Sequence, residues 1–120
     1  MIIDFLKLGL IFVVIDSVYL YSMSDHFNDL ITNIQGSKLK LKTIPTVLCY
    51  LFLLSSIYYF LIYKKGSIKD AFLLGFFIYG VYETTNLAIF NSWNYKTAII
   101  DTTWGGILFA TTYYIFNRLK

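Results

Sequence analysis

The chain has 120 residues, of which 58% are hydrophobic and 14% charged, and a net charge of +3. Soluble domains carry about 25% charged residues, and a water-soluble chain this short has too much surface for its volume to hide so much apolar area. Lipid is therefore the expected solvent, and nucleic acid is not an expected partner because no basic stripe or patch is concentrated on one element.

Taken in chain order, four apolar stretches stand out, at about 3–22, 43–63, 70–90 and 97–117. Each approaches the roughly 20 residues that cross a bilayer core. A helix satisfies its own backbone hydrogen bonds, so each stretch is predicted as a transmembrane helix. The first is not expected to be a cleaved signal, because Asp16 interrupts its apolar core and no small-x-small site follows.

Between the first two spans, Phe27, Leu30, Ile31 and Ile34 recur at helical spacing, with Asp25, Asn28, Asp29 and Asn33 off that face. This predicts a short amphipathic helix over about 25–35 lying in the interface, capped by Ser24 and ended by Gly36. Lys38, Lys40 and Lys42 follow and are expected to meet lipid headgroups. Pro45 falls in the first turn of the second span, where a missing N–H costs little. Lys64–Ser67 is a short turn between the second and third spans. Asn91–Lys96 joins the third and fourth, with Trp93 and Tyr95 suited to the interface. The expected fold is all-α: one integral membrane domain over 1–120, a four-helix transmembrane bundle with an interfacial helix after the first span.

Orientation follows from Lys and Arg in short loops. One side carries Lys7, Lys64, Lys65, Lys69, Arg118 and Lys120, the other Lys38, Lys40, Lys42 and Lys96. Six against four places both termini in the cytoplasm.

Three carboxylates lie inside the spans: Asp16, Glu83 and Asp101. A carboxylate in hydrocarbon costs on the order of 2.5–3.5 kcal/mol on insertion scales, which makes it a functional candidate. Alternating span directions put all three about 6–11 Å inside the same interface, at 1.5 Å per residue. Residues one turn away share each face. Tyr19 accompanies Asp16, Tyr79 and Asn86 flank Glu83 with Tyr82 adjoining, and Trp104 and Gly105 follow Asp101. Gly75, Gly80, Gly105 and Gly106 permit close helix approach. His26, the only histidine, lies in the interfacial segment and reads as a solvated interfacial residue.

Three anions so close cannot all stay ionised without compensation. Either one or two hold a proton, or a cation binds among them. Proton-coupled transport, a divalent-cation site on Asp16, Glu83 and Asp101 as hard oxygen ligands, and a structural polar network all fit. HExxH, CxxC, phosphate-cradling glycine loops and G-x-S-x-G do not occur, so the sequence carries no haem, flavin or nucleotide signature. Cys49 is the only cysteine and allows no intrachain disulfide.

These motifs resemble a family of predicted four-helix membrane proteins, domain-of-unknown-function family 2177, over nearly the whole chain. The likeness rests on Asp16-Ser17-Val18-Tyr19-Leu20, on Tyr82-Glu83-Thr84-Thr85-Asn86-Leu87-Ala88 followed by Trp93, and on Asp101-Thr102-Thr103-Trp104-Gly105. Tyr19 stands where the family commonly has Trp, and Glu83 where it usually has Asp. The resemblance implies a four-helix integral membrane protein and no activity.

The expectation is a membrane protein that binds or transports a small cationic ligand, metal ion or proton. Asp16, Glu83 and Asp101 would take the charge, Asn86, Tyr19 and Tyr82 would orient them, and Trp104 would wall the ligand. A homodimer is expected, since four helices make a small transporter. The alternatives are an intramembrane enzyme acting on a lipid or isoprenoid, and a structural protein of a cellular or viral membrane.

Overall fold

The computed structural model describes residues 2–119. Lys120, one of the six cations used above for orientation, lies outside them. Five helices follow one another: α1 (Ile2–Ser22), α2 (Ser24–Gln35), α3 (Thr43–Ile57, continued as a π-helical turn over Tyr58–Tyr63), α4 (Ile68–Ile89) and α5 (Tyr95–Arg118). No strand is present among the described residues. The predicted elements are all found, with ends within about two residues of expectation.

Thr43–Tyr63 and Ile68–Ile89 are long and apolar enough to cross a membrane by length and composition. The helices α1 and α5 occupy the other two stretches expected to span. Helix α5 carries Asp101 and five threonines, which lowers its hydropathy, and it turns Thr97, Asp101 and Thr112 inward. It is the helix with the most buried residues, which is where polar groups of a lipid-embedded bundle belong.

Helices α4 and α5 pack most closely. A Cβ on Gly75 would collide with the Gly105 carbonyl oxygen and the Phe109 ring, and one on Gly105 would enter the Tyr79 ring. Glycine is thus required at both positions to bring the two backbones together. At Gly80 a Cβ would meet only Thr102 Cγ2 at an ordinary 3.5 Å, so this glycine is not a close-approach point.

Leu8 and Phe12 of α1, Ile57 of α3, Leu61 in the π turn, and Leu108, Phe109 and Phe116 of α5 fill an apolar core at the end of the bundle nearer the termini. Phe12 meets Phe109 edge-on at 5.7 Å, and Tyr50 of α3 edge-on at 5.8 Å. At the end of the π turn the Gly66 N–H, five residues on, closes at 2.8 Å on the Leu61 carbonyl. The Tyr113 hydroxyl bridges it, at 2.9 Å, and the Gly66 carbonyl, at 2.6 Å. Ser67 and Asp70 close a reciprocal capping box at the start of α4.

Helix α2 differs from expectation at its start. Ser24 does not cap it: its hydroxyl donates back to the Tyr21 carbonyl at 2.9 Å, and Met23 holds the cap position. Only Met23 separates α1 from α2, and its carbonyl already accepts the Phe27 N–H at 3.0 Å. The predicted end is found, with Gly36 in the left-handed region at φ 75° and its N–H on the Thr32 carbonyl. Leu30 of the apolar face is buried, Phe27 meets the Tyr19 ring at 6.3 Å, and the Asn28 amide oxygen accepts the returning Leu39 N–H at 3.0 Å.

Candidate functional site

Asp16, Glu83 and Asp101, each expected inside a span, are all buried, and they gather at the end of the bundle carrying α2. Helices α1 and α5 run antiparallel, and both carry an aspartate followed three residues later by an aromatic donor. Each helix sends its aromatic group to the other's aspartate. The Tyr19 hydroxyl of α1 donates to Asp101 Oδ1 at 2.9 Å, and Trp104 Nε1 of α5 donates to Asp16 Oδ1 at 3.1 Å. The two rings stack between them, 4.5 Å apart and 6° from parallel. The spacing explains the clasp: residues three apart share a helix face, so acid and aromatic point to the same neighbour.

Asp16 has a second donor that the sequence reading did not single out. The Tyr50 hydroxyl of α3 reaches its Oδ2 at 2.7 Å. Both oxygens of Asp16 are therefore held by neutral donors. Among the described residues no group of three or more His, Cys, Asp or Glu side chains is placed to hold a metal ion.

Glu83 is different. It is 0% exposed. Its Oε1 accepts the indole N–H of Trp93 at 2.7 Å, whereas its Oε2 is buried without a hydrogen-bond donor. The Asp101 carboxyl lies within hydrogen-bonding reach of it. Two carboxyl groups side by side form a hydrogen bond only through a proton; otherwise a cation must sit between them. This carboxyl thus lies between α5, which carries Asp101, and the loop after α4, which carries Trp93.

Trp93, expected as an interface aromatic, instead folds inward and is 7% exposed. The loop is drawn in by the Trp93 N–H on the Phe90 carbonyl at 3.2 Å, and Asn94 caps α5 by accepting from Thr97 N–H at 2.8 Å. The signal for Trp93 was present in its place just past the Glu83 motif, but its direction depends on the loop.

Asn86 is buried one turn beyond Glu83, beside the Tyr82 hydroxyl. Tyr82 itself is 57% exposed and stays at the rim. His26, expected to be solvated, is half-buried and tied to α5, its Nε2 lying 2.6 Å from Thr97 Oγ1. The tautomer follows from the network. Asn94 Oδ1 already accepts the Thr97 N–H, so the 2.8 Å contact from Thr97 Oγ1 uses the hydroxyl proton. Thr97 Oγ1 is then an acceptor, and His26 Nε2 carries the proton.

A family described as predicted membrane protein (DUF2177) matches residues 1–115. The chain belongs to that family. The match includes every residue of the clasp and of the Glu83 site, which therefore lie within the family's shared extent. No curated protein and no solved structure matches the chain.

Proposed function

We propose that this chain is a four-span membrane protein, with both termini cytoplasmic, that binds a small cation or exchanges a proton at the Glu83–Asp101 pair and moves it across the bilayer. The observation carrying this reading is Glu83 Oε2, fully buried with no donor of its own, on a residue that has the Asp101 carboxyl within reach. Such an atom costs on the order of 1–3 kcal/mol or more when left unmet. A bonding partner of changing occupancy gives that cost a use. Tyr19 holds Asp101 in place, Trp93 holds Glu83, and Asn86 borders the pair. The functional assembly on this reading is a homodimer, which a mass measurement in lipid nanodiscs checks.

The test is flux in proteoliposomes. Under an imposed proton or cation gradient, wild type conducts, whereas Glu83→Gln and Asp101→Asn, still folded, do not. Equal flux in wild type and both variants would overturn the proposal.

Asp16 favours a second reading, in which the polar layer locks the helices together. Its two oxygens accept from Tyr50 and Trp104, and it leaves no oxygen over. On that reading no gradient produces flux, and each carboxylate substitution only destabilises. The clasp accounts for Asp16 and for part of Asp101. It does not account for Glu83.

A further inference from the structure

The cluster has an apolar flank. A groove of about 350 Å³ runs along α1 and α5, lined by Tyr19, Ile99, Ile100, Thr103, Trp104 and Ile107. Ile99 and Ile107 are exposed, so in a bilayer the groove opens sideways to lipid. Its wall is the stacked pair Tyr19 and Trp104, and the polar ends of that pair rest on Asp101 and Asp16. A route from hydrocarbon to a buried carboxylate thus passes one aromatic ring. Swinging Tyr19 aside breaks one hydrogen bond and uncovers Asp101, with the unpaired Oε2 of Glu83 next to it.

We infer that the ligand is a protonated amine with an apolar tail, reaching the carboxylates sideways from the bilayer. This rests on the binding reading above and names its substrate class. Charge complementarity chooses the head. The partners of the carboxylates are neutral tyrosines and tryptophans, and Glu83 Oε2 lacks an N–H or O–H donor. An ammonium supplies positive charge and that donor together, and the faces of Tyr19 and Trp104 attract it. A quaternary head has the charge without the donor. The groove chooses the tail: an aliphatic or aromatic chain lies against Ile99, Ile100 and Ile107, where a hydrated inorganic ion gains nothing.

The experiment uses the full chain in lipid nanodiscs and measures equilibrium binding of 4-phenylbutylamine, with empty nanodiscs subtracted. The comparison probes are 4-phenylbutanol, which keeps the tail without the charge, methylammonium, which keeps the head without the tail, and the N,N,N-trimethyl form of the amine. Saturable binding of the amine is expected, weakened at least about tenfold for each of the other three, as suits loss of a charged donor or of the buried tail. Thr103→Phe, on the exposed side of the groove, is expected to weaken the amine about tenfold while leaving the melting temperature of the protein unchanged. Ile107→Phe gives a second block at another point of the groove.

Binding of methylammonium as tight as that of the amine, or no effect of either groove variant, would overturn the lateral route. Equal binding of 4-phenylbutanol would remove the carboxylates from recognition. Absence of saturable amine binding, with flux still lost in Glu83→Gln, would sink this inference and leave the proton or small-cation site standing. Flux and binding both indifferent to Glu83→Gln would sink the two together.

Discussion

Among the described residues two buried side-chain oxygens lack a hydrogen-bond partner, one in each half: Glu83 Oε2 among the carboxylates and Thr112 Oγ1 among the apolar side chains. Both residues are 0% exposed. They differ in surroundings. Thr112 is close in sequence to Phe109, Tyr113 and Phe116, which belong to the apolar core cluster. Glu83 has a tryptophan donor on one oxygen, none on the other, and the Asp101 carboxyl as a neighbour. An unpaired hydroxyl in an apolar layer is a small packing defect. An unpaired oxygen on a carboxylate that has a second carboxyl as neighbour is an opening for a proton or a cation. The same physical cost therefore has different meanings in the two halves.

The comparison can be broken first by damaging the apolar half. Phe109→Ala removes a fully buried ring that meets Phe12 and Tyr79. A loss of about 3–5 kcal/mol is expected in a denaturant melt of the detergent-solubilised protein. A loss under about 1 kcal/mol would mean that the layer is not the stabilising half. Next in size is Asp16→Leu, which leaves the Tyr50 hydroxyl and Trp104 N–H facing a side chain without an acceptor. It is expected to cost about 1–3 kcal/mol for each buried donor left unmet. An unchanged melt would mean that these bonds contribute nothing to the fold.

Smaller effects sharpen the contrast. Asn94→Ala removes the cap of α5 and is expected to cost about 1 kcal/mol. It also frees the Thr97 hydroxyl that fixes the His26 tautomer, so the His26 ring resonances should lose their Nε2–H pattern in nitrogen-detected NMR. Thr112→Val replaces the unpaired hydroxyl by a methyl of the same shape. It is expected to raise stability by about 1 kcal/mol, with flux unchanged.

The sequence made the helices legible because their signals are local: apolar runs of spanning length, a glycine at the end of α2, Pro45 in a first turn. It also made the three carboxylates legible, since an acid inside an apolar run stands out whatever the fold. What it did not make legible depends on contacts between elements. The π turn at Tyr58–Tyr63 is set by backbone bonds five residues apart and is braced by the Tyr113 hydroxyl of α5. Tyr50 looked like one more aromatic in an apolar span until α3 brought it against Asp16. Trp93 read as a belt residue because loop direction is not a local property. Ser24 lost its capping role to the near-continuity of α1 and α2. The matching acid-to-aromatic spacing in α1 and α5 was visible all along, but only antiparallel packing makes it a reciprocal clasp.

The central claim is that Glu83 is held at a cost to stability for the sake of a ligand or proton. Its most direct test is the stability of Glu83→Gln measured beside Thr112→Val. A glutamine keeps the oxygen that accepts from Trp93 and puts an N–H donor where the unpaired oxygen stood, on a side chain that neighbours Asp101. The account predicts that both variants are more stable than wild type by about 1 kcal/mol and that only Glu83→Gln loses flux. A Glu83→Gln protein that melts below wild type, while Thr112→Val melts above it, would contradict the account and make Glu83 a packing residue.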